Sequence, residues 1–450
     1  MPEANPALDA TVWRTDGALE RVLAEPRRAF ARPGDLTKPG LGDTRNPQPT
    51  GWPSFSVSLA VHRDLARLAA EWTGFEKTAD CTPFQTFAWL SKWQRHIGAR
   101  GQTRPAVVTG RDDRGELLFI FPLEVEGGRL RRLTWLGSDL CDYNGPLLAE
   151  FFGRQVDSDR FRQLWRDVLG LLQSDPATRF DLIDLAKMPD TVGGQANPFL
   201  ALPVRDNPSG AHVATLGPDW EAFYKAKRSS TVRKQERKQF RRLGENGAVA
   251  FVKAREPADI ELTLRALFEQ KSGSFARMGV EDIFARPGVR DFFLDVCTDP
   301  SAGEFAEVTR LDIGPTIAAT NFGLMFRSCF YLVLSSYHDG ELSRFGPGRA
   351  HLRETIRYAI GRGCRHFDFT IGDEPYKRDW SDTRLVLHDH LAGVTLRGKL
   401  AVAAARAFRA TKKAIKGSPA LWRAYTTIRA GAALRTRPGT KSEPHIGEDA

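Results

Sequence analysis

The chain is 450 residues long, 41% hydrophobic and 27% charged, which excludes a fibre or a wholly disordered chain and leaves room for a sizeable core. Its net charge of +10 suggests a polyanionic partner, but the charge is local. Nine Lys/Arg stand against Glu236 alone between 225 and 242, and eleven stand against no acid between 391 and 437, so the remainder is net acidic and a generally basic polyanion binder is excluded.

Residues 1–53 hold eight of the 27 prolines and little apolar periodicity, and read as a disordered segment. Patterned sequence begins near Phe55. Helices are predicted over Arg63–Trp72 and Phe84–Ile97, and strands at Ala106–Thr109, at Leu117–Leu123 and around Leu133 and Trp135. Leu117–Leu123 is nearly all apolar, which predicts one strand buried on both faces. A helix over Asp159–Gln173 follows from Phe161, Leu164, Trp165, Val168, Leu169 and Leu172, with Asp157 or Ser158 as its N-cap. A strand at Phe180–Leu185 precedes the turn-rich Pro203–Gly210, where a domain boundary is placed.

Beyond it, a strand is predicted at His212–Leu216 and helices at Trp220–Lys225, Ser229–Leu243, Ile260–Lys271 and Val289–Thr298. Strands at Ala306–Asp312, Ile317–Phe322 and Ser328–Ser335 lead to a helix at Ala350–Arg362, a strand at His366–Thr370 and a last strand pair over roughly Arg384–Leu396. The domains expected are therefore 1–53 disordered, 54–207, 208–396 and a basic helical tail at 397–450. The two halves echo one another. Tyr143-Asn144-Gly145-Pro146, helix, Arg179-Phe180-Asp181 matches Arg344-Phe345-Gly346-Pro347, helix, His366-Phe367-Asp368, as an internal duplication with an insertion would.

Two features carry chemistry. An apolar strand ends in Ser335-Ser336-Tyr337-His338-Asp339, and Ser343-Arg344-Phe345-Gly346-Pro347-Gly348-Arg349 then opens a helix. Uncovered N–H groups, a helix N-terminus and two arginines make an anion cradle that suits a pyrophosphate, though the same residues also make a plain helix start. It is neither a Walker loop nor GxGxxG. The second feature is the run His366 to Trp380. In a strand, Asp368 shares a face with His366 and Thr370 among aromatic neighbours, where an ionisable group is costly unless paired. Asp368 can be a general base with a raised pKa or one half of a structural pair with Lys377.

The order FPL, LGSDLCDYNGPLL, a Lys/Arg-rich helix, strand–GPG–helix, then Asp368…Gly372…Tyr376-Lys377…Trp380 resembles the CelD-like, cellulose-biosynthesis-associated acetyltransferases of the GNAT superfamily, relatives of the FemABX aminoacyltransferases. The resemblance covers about residues 55–395. It implies a mixed α/β chain with α+β mixed sheets, built as a tandem of two GNAT-like acyltransferase folds with the acyl-CoA site in the second. It implies that the cofactor pyrophosphate lies on Arg344, Gly346, Gly348, Arg349 and Ala350. The turn departs from the superfamily pattern, because Arg344 stands only two residues before Gly346. Direct transfer from acetyl-CoA or another acyl-CoA is then expected, with Asp368 as base, His338 or His366 behind it, Tyr337 or Tyr376 as acid to the thiolate, and Lys377 for orientation. Arg228, Tyr337 and Trp380 are expected at the substrate.

The acceptor implied by the family is a small molecule or glycan, such as an envelope or exopolysaccharide precursor. The rivals are a FemABX-like enzyme using aminoacyl-tRNA and a non-catalytic subunit of a polysaccharide synthase. The basic helix Lys225–Arg242 lacks interleaved aromatics, so sequence-specific nucleic-acid binding is not expected. The tail places Leu396, Leu400, Ala404, Phe408 and Ile415 on one side and cations elsewhere, suiting either an anionic membrane surface through 397–437 or packing on the domain. His388 and His390 lack a third ligand, so no metal is expected. Five scattered cysteines and no apolar run of membrane length predict a cytoplasmic location, peripheral to the inner membrane face if the tail docks.

Overall fold

The computed structural model describes residues 56–101, 103–300 and 305–417. The segment expected to be disordered and the tail beyond 417 lie outside them. The first unit contains β1 (Ser58–His62), α1 (Ala69–Phe75), α2 (Phe87–His96), β2 (Arg104–Pro105), β3 (Val107–Arg111), β4 (Leu117–Phe121), β5 (Leu123–Glu126) and β6 (Arg132–Trp135). It continues through β7 (Leu147–Leu148), α3 (Phe152–Gln155), α4 (Ser158–Ser174), β8 (Leu182–Pro189), β9 (Thr191–Val192), β10 (Gln195–Ala196) and β11 (Arg205–Asp206). The single strand expected over 117–123 is instead two. Pro122 has no N–H for a ladder, and the chain passes there from one sheet (β1-β3-β4-β7) to another that contains β2, β5, β6, β8 and β11.

The second unit runs through β12 (Ala211–Thr215), α5 (Trp220–Lys227), α6 (Ser230–Gly244), β13 (Val249–Lys253), α7 (Pro257–Met278), α8 (Val289–Thr298), β14 (Ala306–Ile313), β15 (Thr316–Phe326) and β16 (Cys329–Tyr337). Then come α9 (Pro347–Gly361), β17 (His366–Ile371), α10 (Pro375–Trp380), β18 (Thr383–Leu385), β19 (Leu387–Gly393) and α11 (Leu396–Gly417). Seven strands form one sheet in the order β13-β14-β15-β16-β17-β12-β18. Its Phe330, Phe367 and Phe369 pack on α9 residues Leu352, Ile356 and Ala359, while Phe322, Leu324 and Val333 face α7, α8 and α2 in the largest core.

The fold class is the mixed α/β one expected, with two units of like topology. Among the described residues, the six-stranded and seven-stranded sheets each have one parallel strand pair: β6 with β8, crossed over by α4, and β16 with β17, crossed over by α9. α4 forms because Asp157 accepts from the N–H groups of Asp159 and Arg160, and Phe161, Leu164, Trp165, Val168 and Leu172 bury one face. One strand crosses between the units: β12 opens the second unit and pairs with β17 within it, whereas β19 closes the second unit but pairs with β8 of the first. A boundary at 207/208 therefore separates β19 from the sheet it completes.

The repeat alignment also needs correction. The N–H groups of Asp181 and Leu182 donate to Arg131 O, as those of Arg365 and His366 donate to Ser328 O. Counting from these bonds, Asp184 rather than Asp181 takes the place of Asp368, and it is ion-paired with Arg132 at 3.1 Å. Gly145-Pro146 leads into β7, not a helix, so it is no counterpart of the Gly346-Pro347 helix start.

Candidate active site

β16 and β17 pair at Cys329/His366, Phe330/Phe367 and Tyr331/Asp368. The last link beyond is Thr370 Oγ1, which donates to Leu332 O at 3.0 Å. Among the described residues, β16 from Val333 to Tyr337 has a strand on the β15 side only. The fork coincides with backbone strain: Thr370, β-branched, has φ +58°. Such a conformation persists only where its surroundings enforce it, and it recurs at functional sites.

Asp368 sits in the crotch of this fork, buried, on the face opposite Phe367 and Phe369. Its Oδ1 accepts from Tyr143 Oη at 2.7 Å and from Thr370 N at 2.7 Å. Burial raises its pKa to about 7, against the pull of those two donors. Beside it, burial pushes the Asp142 carboxyl up to about 6, and neither of its oxygens makes a hydrogen bond among the described residues. Tyr143 stays a protonated donor, because burial and the adjacent Asp368 charge hold its pKa well above the usual phenol value. Lys187 caps the same loop, donating to Ser138 O at 2.9 Å and Cys141 O at 2.6 Å.

Lys377 is buried but does not pair with Asp368. Its Nζ donates to Ile371 O at 2.6 Å and lies 3.1 Å from Glu374 Oε2. One turn of α10 puts Glu374 and Lys377 on one side, and this local pairing replaces the expected Asp368–Lys377 pair.

At the open end of the fork, Gly346 has φ +69° and α9 begins without a side-chain cap. The first-turn N–H groups of Gly348 and Arg349 have no intrahelical acceptor, and Pro347 has none to offer. A Cβ on Gly348 would come within 3.1 Å of Tyr337 Cδ1, so the turn lies tight on the end of β16. Arg344 and Arg349 are exposed on this turn, Arg344 over the Phe345 ring at 4.8 Å. α6 flanks it, because Leu243 packs with Leu342, Phe345 and Ala350. Exposed Lys234, Arg237, Lys238 and Arg242 give α6 a basic outer side.

Residues 230–378, from α6 through α10, match the family model described as acetyltransferase (GNAT) domain. This stretch of the second unit is similar to GNAT acetyltransferase domains. No curated protein matches the sequence. Among solved structures, FemX is similar at 10% identity, with 73% of this chain and 96% of that chain covered and a TM-score of 0.49. The C-terminal domain of a putative lysylphosphatidylglycerol synthetase from Agrobacterium fabrum is similar at 11% identity, covering 76% and 96%, with a TM-score of 0.44. A tandem GNAT protein from the clavulanic acid biosynthesis pathway is similar at 10% identity, covering 76% and 100%, with a TM-score of 0.38.

The second unit brings together Arg344, Gly346, Gly348, Arg349, Ala350 and Tyr337 at the turn, and Asp368 and Lys377 in the buried cluster. Other expected residues lie elsewhere. His338 is exposed on the loop after β16, and His366 is exposed at the start of β17. Tyr376 packs on Phe369, on the α9 side and away from the Asp368 carboxylate. Trp380 is buried in a stack with Trp220, Phe223 and Tyr224. Arg228 covers its ring at 4.2 Å and bridges Glu236 and Asp379, so this pair staples α6 to α10. His388 lies between Asp190 and Asp206, and among the described residues no group of three or more metal-ligating side chains forms.

Asp142, Tyr143, Glu374 and Lys187 had no expected role. Asp142-Tyr143 was visible within LGSDLCDYNGPLL as polar residues in an apolar run. Nothing local pointed to a partner 225 residues away.

Proposed function

We propose that this protein is an acyl-CoA-dependent acyltransferase whose general base is Asp368. The observation that carries this reading is the fork of β16 and β17, with a buried carboxylate of pKa about 7 at its crotch. A base poised near the working pH is ionised often enough to act and basic enough to accept a proton. The turn at its open end suits a pyrophosphate: Gly346 and Gly348 leave backbone N–H groups uncovered at the start of α9, with Arg344, Arg349 and the basic side of α6 around them. The one-sided edge of β16 offers backbone donors and acceptors to an extended amide-bearing chain.

When bound, acyl-CoA supplies the thioester carbonyl that an acceptor amine or hydroxyl attacks and the thiolate that leaves as the C–S bond breaks and the new amide or ester forms. Asp368 takes the acceptor's proton, and the Tyr143 hydroxyl and Thr370 N–H fix the carboxylate for that transfer. Lys377 is a positioning residue that ties α10 to the end of β17 through Ile371 O. The acceptor we propose is a sugar or glycan precursor of an envelope or exopolysaccharide, supported by the resemblance to CelD-like acetyltransferases.

Calorimetry with acetyl-CoA, followed by thiol release with an amino-sugar and polyol panel, tests the reading. Binding is expected for wild type and for Asp368→Asn, with turnover lost about 10²–10⁴-fold in the variant. Binding of aminoacyl-tRNA without CoA would replace the donor, and binding of neither would leave a non-catalytic subunit. Near-wild-type turnover in folded Asp368→Asn would place the base elsewhere.

A further inference from the structure

We infer that α11 docks the protein on the surface of an anionic lipid bilayer. One side of the helix is held by the body: Gly398, Val402 and Ala405 are buried, with Val402 against Leu182 and Leu391. The contact is close, because a Cβ on Gly398 would meet Asp181 O at 1.8 Å, so the helix cannot roll. The outer side of a helix fixed in this way is ordinarily polar.

Here it is apolar. At 3.6 residues per turn, Leu396, Leu400, Ala403, Ala404 and Ala407 fall on the arc facing away from Val402 and Ala405, and Phe408 lies just beyond Arg397 at its border. Leu396 is 75% exposed, Leu400 64% and Phe408 48%. Together with Val394 just before the helix, they are four of the seven large hydrophobics exposed among the described residues. Lys399 and Arg406 line one border of the arc and Arg397 the other.

Charge selects the occupant. Residues 391–417 contain seven Lys/Arg and no Asp or Glu. A second copy would bring the same charges against this face. A bilayer with anionic headgroups gives the apolar arc an acyl-chain boundary and the cations phosphates, the arrangement of interfacial amphipathic helices. α6, the other basic segment, exposes no large hydrophobic side chain beside its cations, and the chain outside these two segments is net acidic, so among the described residues α11 is the side that combines charge with an apolar arc.

Co-sedimentation of the full chain with vesicles tests the inference. Vesicles with about one third phosphatidylglycerol should retain the protein, neutral phosphatidylcholine vesicles should retain much less, and added salt should release it. Leu396→Ser with Leu400→Ser changes two exposed side chains and should lower partitioning about tenfold or more at an unchanged melting temperature. Leu262→Ser, an exposed hydrophobic on α7, should leave it unchanged. Failure to bind either vesicle, or undiminished binding by the double variant, overturns the inference. So does a wild-type dimer in light scattering that the double variant dissolves without any vesicle binding, because the face would then belong to a second copy.

Discussion

The hydroxyl of Tyr143 donates a 2.7 Å hydrogen bond to Asp368, joining a loop of the first unit to the last parallel strand of the second. The same carboxylate oxygen accepts from Thr370 N, so one donor comes from each unit. The proton affinity of Asp368 is therefore set by how the units dock as well as by its own strand. The first unit, whose equivalent acid Asp184 is spent on Arg132, serves the site of the second through this loop.

Tyr143→Phe keeps the ring and removes the donor. A hydrogen bond to a charged group contributes about 1.5–3 kcal/mol, equivalent to about one to two units of pKa. The donor favours ionised Asp368, so its loss moves the pKa above about 7. The rising limb of kcat/KM against pH should shift alkaline by about one to two units, with reduced turnover at neutrality. A limb that stays in place would show that Asp368 is not the titrating base.

Asp142→Asn tests the buried charge through stability. The folded pKa of Asp142 is raised to about 6 by burial, above the ordinary carboxylate range. The fold therefore prefers the neutral acid, and this stabilisation is complete below about pH 4 and lost as pH rises through about 6. Asn is neutral at every pH and nearly the same shape. The melting temperature of Asp142→Asn minus that of wild type should thus increase between about pH 4 and 7 and then level off. A difference that falls with pH would mean that Asp142 is stabilised as an anion.

The sequence made part of this site legible. Asp368 stood out because a mid-strand acid among Phe367 and Phe369 needs an explanation, and the glycine-rich turn because its chemistry is local. Both crossover helices were visible because α4 and α9 bury helical-period stripes, but the parallel pairing of the strands they join was not. The crossing of β19 into the first unit's sheet was not visible, because pairing partners leave no local signature. A pair of Asp368 with Lys377 was one of the two readings open in the sequence, and it fails because α10 presents Glu374 to Lys377 one turn away. Tyr143 could not be matched to Asp368 from a single sequence, since only the docked units bring them together.

Trp380 separates packing from substrate contact. It is buried within an aromatic stack and covered by Arg228. Trp380→Ala should destabilise by about 3–5 kcal/mol, read as a lower denaturation midpoint. Assayed well below its melting temperature, the variant should keep the donor KM of wild type. A large rise in KM at an unchanged midpoint would return Trp380 to the substrate.

Gly348 and Gly346 make opposite predictions at the turn. Gly346 has φ +69°, so Gly346→Ala strains the backbone by about 1–2 kcal/mol and should appear first as lost stability. Gly348 carries no such strain, but a Cβ there stands 3.1 Å from Tyr337 Cδ1. Tyr337 or the start of α9 must shift by a few tenths of an ångström, and the same methyl covers N–H groups that the proposed pyrophosphate would use. Gly348→Ala should therefore weaken acetyl-CoA binding by about tenfold in calorimetry while its melting temperature stays near wild type. Gly361→Ala, at the far end of α9 with open space around it, is the control for helix propensity and should not weaken binding. Equal affinity in all three variants would move the donor off this turn while leaving Asp368 to be judged by its own pH profile.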